Sequence, residues 1–230
     1  LPDLVAGNNG LNSRIKASAT QPAKLYVDDF DKNGQTECIP AYYKTDGKLY
    51  PWFLKGELES QLPMMKKKFL HFNDYAGKTI NEVLTPEQLQ HAATLTVTEC
   101  RSAVFINQGK AGFRLQPLPM MAQLAPVFAA IATDINHDGN MDLFMAGNFY
   151  GLKPQAGRWD ASYGVTLLGD GSGQFSYLPP LQSGLLVKGE ARDIKMLASA
   201  NADSLLLVAV NNAPLQVFSR NKRPQNTRRD

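Results

Sequence analysis

Histidine, tryptophan and cysteine are scarce in this chain, with three, two and two residues among 230. His71, His91 and His137 stand at no metal-ligand spacing, which removes support for a histidine-built zinc centre. No Gly-x-Ser-x-Gly elbow occurs. Gly77-Lys78-Thr79 has the ending of a phosphate loop, but Phe72 stands where the cradle needs a glycine, so the backbone cannot wrap a phosphate there. Gly169-Asp-Gly171-Ser-Gly173 lies between two strand-like runs and reads as a hairpin turn, not a dinucleotide loop. No apolar run approaches the roughly 20 residues of a membrane-spanning helix. Cys38 and Cys100 are too few for a disulfide framework, and two readings stay open: a bridge across the intervening segment, or two free thiols.

Charge excludes another class. The net charge of +3 is concentrated in the tail, where 220–230 carry five basic residues and one acid, leaving −1 for 1–219. A body of that charge does not indicate nucleic-acid binding. The tail lacks apolar anchors and is expected to be disordered. With 43% hydrophobic residues, the remainder can bury a real core.

What the chain does contain is one nine-residue pattern, twice. Asp29-Phe-Asp31-Lys-Asn33-Gly34-Gln-Thr-Glu37 and Asp134-Ile-Asn136-His-Asp138-Gly139-Asn-Met-Asp142 each place an oxygen-bearing side chain at positions 1, 3, 5 and 9 and glycine at position 6. That spacing suits a loop folding around one hard cation, with glycine at the sharp bend. Position 12 is Pro40 in one copy and Met145 in the other, so the bidentate glutamate of an EF-hand is missing. Strand-like runs flank both copies: Lys24 to Val27 and Glu37 to Tyr43 around the first, Val127 to Ala132 and Asp142 to Ala146 around the second. Two Ca2+ sites are therefore expected, at Asp29, Asp31, Asn33, Gln35 and Glu37, and at Asp134, Asn136, Asp138, Asn140 and Asp142, with Gln35 and Asn140 giving backbone carbonyls. Three carboxylates in each loop repel one another unless a cation neutralises them.

Repetition extends beyond the loops. Asp142-Leu-Phe-Met-Ala-Gly-Asn148 is echoed by Asp3-Leu-Val-Ala-Gly-Asn8, as though the chain opened on the end of a third loop. Val104 to Phe113 echoes Val165 to Phe175 as hairpins with glycine-rich turns, and Arg192 to Asn212 keeps the strands of a copy without the ligands. A unit of strand, calcium loop, strand and hairpin resembles one blade of the FG-GAP or VCBS repeat β-propellers. Tyr26 to Pro51 is more narrowly similar to the last propeller segment of large secreted bacterial proteins that combine VCBS repeats with an ASPIC/UnbV module. Glu37 departs from the usual aspartate of position 9, which implies altered geometry or affinity at the first site.

The resemblance implies an all-β, propeller-like array of blades over 1–219, a partial propeller, with a small helical insertion at 53–93. The cue for the insertion is Glu57 to Phe69, Tyr75 to Leu84 and the cap Thr85-Pro86-Glu87. The function implied is a non-enzymatic, extracytoplasmic calcium-binding scaffold, secreted or on a bacterial cell surface, that recognises a protein or glycan. The alternative is a carbohydrate-active enzyme (hydrolase or lyase) or a lectin on the same fold, with Trp52, Tyr150, Trp159 and Tyr163 as candidate sugar-stacking rings. No nucleic acid and no membrane span are expected. Open strand edges predict self-association.

Overall fold

The computed structural model describes residues 1–154, 157–198 and 204–219; the basic tail lies outside the described residues. The protein is predominantly β, with four antiparallel sheets. Its chain divides into two compact units, one formed by 13–100 and the other by 1–12 with 101–230. Among the described residues, no helix is long and apolar enough to cross a membrane.

The larger unit holds three sheets. Strand β1 (Leu4–Ala6) pairs with β6 (Ala103–Asn107), which pairs with β7 (Phe113–Pro117). The second sheet is a meander of β8 (Val127–Thr133), β9 (Asp142–Gly147), β10 (Val165–Gly169) and β11 (Phe175–Leu178). The third is β12 (Ala191–Leu197), β13 (Leu205–Val210) and β14 (Gln216–Ser219). All six residues of β9 are buried, because its alternating side chains serve two cores. Leu143 and Met145 join Val104, Leu118, Val165 and Leu167 in one cluster, while Phe144 and Ala146 join Ala191, Ile194 and Val208 in another. Each apolar layer thus joins one sheet to the next.

The repeats seen in sequence recur as geometry. The β6–β7 turn closes on the pair Asn107 and Phe113, and the β10–β11 turn on Gly169 and Phe175, with the same loop length. Asp3 Oδ1 accepts the Asn107 N–H at 2.7 Å, and Asp142 Oδ1 accepts the equivalent Gly169 N–H at 2.9 Å. Strand β8 has a bulge between Val127 and Ala129, and β12 has the same bulge between Ala191 and Asp193. The asparagine after the following strand also repeats its bond: Asn148 N–H reaches the Pro126 carbonyl and Asn211 N–H the Glu190 carbonyl, both at 2.9 Å.

The smaller unit enters the chain between β1 and β6. It carries the sheet β4 (Leu49–Pro51), β3 (Glu37–Tyr43), β2 (Ala23–Asp28), β5 (Ala93–Val97), in that spatial order. Between β4 and β5 run five short helices: α1 (Lys55–Gln61), α2 (Met65–Lys68), α3 (Phe72–Tyr75), α4 (Ile80–Val83) and α5 (Pro86–His91). Helices this short do not hold by propensity. Four of the five N-termini are tied by side chains three residues inside: Glu57 accepts the Leu54 N–H, Asp74 that of His71, Glu82 that of Thr79 and Gln88 that of Thr85. Their apolar residues Leu58, Leu62, Met65, Ile80, Val83 and Leu84 are essentially fully buried with Tyr26 and Ile39 of the sheet. One further helical turn, α6 (Pro180–Ser183), lies in the larger unit.

Glycine at 147 is required by close packing. A Cβ there would lie 1.8 Å from the Pro126 carbonyl oxygen, a backbone atom that cannot swing aside. Gly147→Ala should therefore lower stability in urea by roughly 3 kcal/mol. Gly56→Ala, in α1 with open space around the new methyl, should raise it by about 0.5–1 kcal/mol. Equal effects of the two variants would contradict this packing.

Candidate metal centre

The two nine-residue loops adopt one backbone. Each joins antiparallel strands, and the residue before position 1 pairs with position 9: Asp28 with Glu37, and Thr133 with Asp142. Position 4 is left-handed in both, at Lys32 (φ 59°) and His137 (φ 63°), as is position 6, at Gly34 (φ 86°) and Gly139 (φ 89°). Two left-handed residues two apart turn the chain around a centre and aim its side chains inward.

The same hydrogen bonds hold both turns. At position 1, Asp29 accepts from the N–H groups of Asn33 (3.0 Å) and Gly34 (2.8 Å); Asp134 accepts from Asp138 (3.2 Å) and Gly139 (3.1 Å), and also from His137 (2.6 Å). At position 5, Asn33 Oδ1 accepts the Gln35 N–H at 2.7 Å and Asp138 Oδ1 the Asn140 N–H at 2.8 Å. At position 9, Glu37 Oε2 accepts the Phe30 N–H at 3.0 Å and Asp142 Oδ2 the Ile135 N–H at 2.8 Å. Position 2 is the apolar anchor: Phe30 is buried in the core of the smaller unit, and Ile135 packs on a core of the larger one.

The loops differ in what their carboxylates do next. In the first, ligand oxygens of Asp29, Asp31 and Glu37 lie within 4.8 Å of one another, the only such group of three among the described residues. Asp31 Oδ1 is buried and has no hydrogen-bond partner. A buried, unpaired oxygen on one of three clustered carboxylates is costly unless a cation completes it. These residues fit a hard cation of the calcium type, whose ligands are oxygens. Burial pushes the Glu37 carboxyl above its usual range; the Phe30 N–H offsets this in part, and the charges of Asp31, Asp29 and Asp28 add to the rise.

The second loop does not gather its three carboxylates to that degree, contrary to the expectation that both would. Asp142 has no exposed surface, and its oxygens are drawn beneath the turn by the N–H groups of Ile135, Asn136 and Gly169. The Asn136 amide donates to Asp138 Oδ2 at 2.8 Å. With Asn140 N–H and the Asn136 amide both donating to it, Asp138 is held below the usual carboxylate range. Glu37, one methylene longer than Asp142, accepts the Phe30 N–H through Oε2 and still lies within ligand reach of Asp29 and Asp31. The residue that departs from the repeat pattern thus stands in the tighter cluster.

Sequence reasoning missed what buttresses the first loop. Gln88 of α5 donates its amide to the Phe30 carbonyl at 2.9 Å, and His91 Nδ1 lies 2.7 Å from Asp28 Oδ2. That bond lowers the Asp28 carboxyl below its usual range. The only signal in the sequence was the polar face of α5. Both cysteines are free thiols, and burial pushes that of Cys100 up. Of the proposed stacking aromatics, Trp52 packs edge-on against Tyr42, and Trp159 forms a β-bridge with Phe149.

No family model, curated protein or solved structure shows a significant match to this chain.

Without a divalent cation, the stability contributed by protonated Glu37 is present below pH 4.5, its ordinary value, and is lost as pH rises through its raised value. Calcium favours the ionised form and should cancel that loss. Glu37→Gln should remove this residue's share of the pH dependence. Melting temperatures from about pH 4 to 7 test it; one slope for the parent in chelator, the parent in calcium and Glu37→Gln in chelator would refute it.

Proposed function

We propose that this chain is a calcium-binding β-propeller segment of the FG-GAP/VCBS kind, acting outside the cytoplasm as a non-enzymatic scaffold for protein or glycan recognition. The observation that carries the reading is the shared framework of the two loops: the same left-handed positions, the same closing pair and the same three sets of hydrogen bonds. The orphaned Asp31 oxygen supports a cation at the first. Support for blades comes from the larger unit, whose three antiparallel sheets share apolar layers and repeat the Asp3 and Asp142 contacts.

Calcium sets the compartment. Extracellular modules bind this ion with dissociation constants of roughly 10⁻⁴–10⁻³ M, and such sites fill where calcium is plentiful. The ion would neutralise the carboxylates and lock the turn, so the recognition surface is held rigid by a chemically simple device. Self-association through strand edges belongs to the same proposal. Strand β5 is an edge of its sheet, and all five of its residues are exposed.

Calcium titration of the chain should give two sites. Asp31→Asn should abolish the first and Asp134→Asn the second, whereas Asp160→Asn, outside the loops, should abolish neither. At a hundredfold excess over its dissociation constant, each ion should add about 2.7 kcal/mol of stability. Absence of saturable binding at millimolar calcium would refute the proposal.

A further inference from the structure

A groove in the smaller unit shares no lining residue with the metal loop. It has a volume of about 330 Å³ and lies among β3, β4, α3 and the segment that carries Arg14. Among the described residues, four cations line it, Arg14, Lys44, Lys55 and Lys78, and no carboxylate does. Two of the four are neutralised by neighbours one helical turn on, Lys55 by Glu59 and Lys78 by Glu82. Arg14 and Lys44 lie against aromatic rings, as does Lys55, whose Nζ is 5.3 Å from the centre of the Phe72 ring. The Arg14 guanidinium lies 4.9 Å from the Trp52 ring and 5.9 Å from that of Tyr42, and Lys44 Nζ sits 4.0 Å over Tyr50. Arg14 Nη2 donates to the Tyr42 hydroxyl at 3.4 Å, and a guanidinium stacked on a ring presents its remaining in-plane N–H donors to a planar anion. Phe72, at the groove edge, is 73% exposed.

We propose that this groove binds an acidic saccharide, with the carboxylate of a hexuronic acid on Arg14 and Lys44 and the apolar face of its ring against Phe72 and Trp52. Charge decides between an acidic sugar and a nucleic acid. Residues 13–100 hold 11 Lys and Arg against 11 Asp and Glu, so the unit has no net field to draw a polyanion. Two local cations beside open aromatic surface suit a ligand with isolated charges and ring faces between them. The volume stands at the small end of ligand sites, which fits a few sugar rings. The proposal rests on the recognition role proposed above and gives it a ligand class. The calcium titration reads the loops and the saccharide titration reads the groove, so either can fail alone.

The test is calorimetric titration of the full chain with a galacturonic acid tetramer, a neutral glucose tetramer and an oligothymidylate, in calcium and in chelator. The chelator arm removes bridging of carboxylates by free calcium. Saturable binding of the acidic tetramer alone is expected, weakened roughly tenfold by Lys44→Ala or Arg14→Ala, the worth of one charge-assisted contact. Phe72→Ala should weaken it several-fold, and Lys66→Ala, outside the groove, should leave it unchanged. Arg14, Lys44 and Phe72 are exposed, so melting temperatures of these variants should match the parent. No binding of the acidic tetramer at millimolar concentration, equal binding of the neutral one, or tighter binding of the oligothymidylate would overturn the proposal. So would indifference to both Lys44→Ala and Phe72→Ala.

Discussion

The carboxylate at position 9 of each loop is the constraint on which the local architecture depends. Asp142 sits beneath its turn with no exposed surface and receives the N–H groups of Ile135, Asn136 and Gly169. Burying a carboxylate costs several kcal/mol, whereas hydrogen bonds to a charged group contribute roughly 1.5–3 kcal/mol each. Three donors from two loops therefore make the burial sustainable. They also join the loop before β9 to the turn after β10, so one side chain sets both ends of a three-strand run. Glu37 plays the first half of this role in the smaller unit and Asp3 the second half beside β6.

From that constraint follows a division of labour between the loops. Where the position 9 side chain is fully engaged by backbone donors, as at Asp142, the turn is largely self-satisfied. Where it is longer and engaged through one oxygen, as at Glu37, negative charge accumulates and Asp31 is left with an unmatched oxygen. Helix α5 reinforces the first loop. Gln88 holds the Phe30 carbonyl, and His91 meets Asp28. A cation there would relieve local repulsion within a frame already fixed by hydrogen bonds.

The smaller unit separates its buried face from its exposed one. Its helices return the chain to the sheet while their apolar faces fill one core with Tyr26 and Ile39. The cost of ordering helices of four to seven residues is met by that burial, since caps alone contribute about 1 kcal/mol each. What remains outside the core is a row of aromatic rings with cations laid over them. The proposed recognition chemistry would lie where the core had no use for those side chains.

Repeat spacing determined the two loops and the strands beside them, and capping residues the helical character of the segment after Pro51, because periodicity and turn chemistry act over a few residues. Asp3 and Asp142 could be matched as equivalent for the same reason. Their partners Asn107 and Gly169 could not, since those bonds span 104 and 27 residues and depend on strand register. Nor could the sequence tell that Glu37 would draw three carboxylates together while Asp142 is consumed by backbone donors. A difference of one methylene acquires that meaning only once the depth of each loop in its core is set. Arg14, Lys44 and Phe72 likewise carry no shared local pattern. They line one groove because β3, β4 and α3 pack around a common core, and long-range packing of that kind is decided by the tertiary structure.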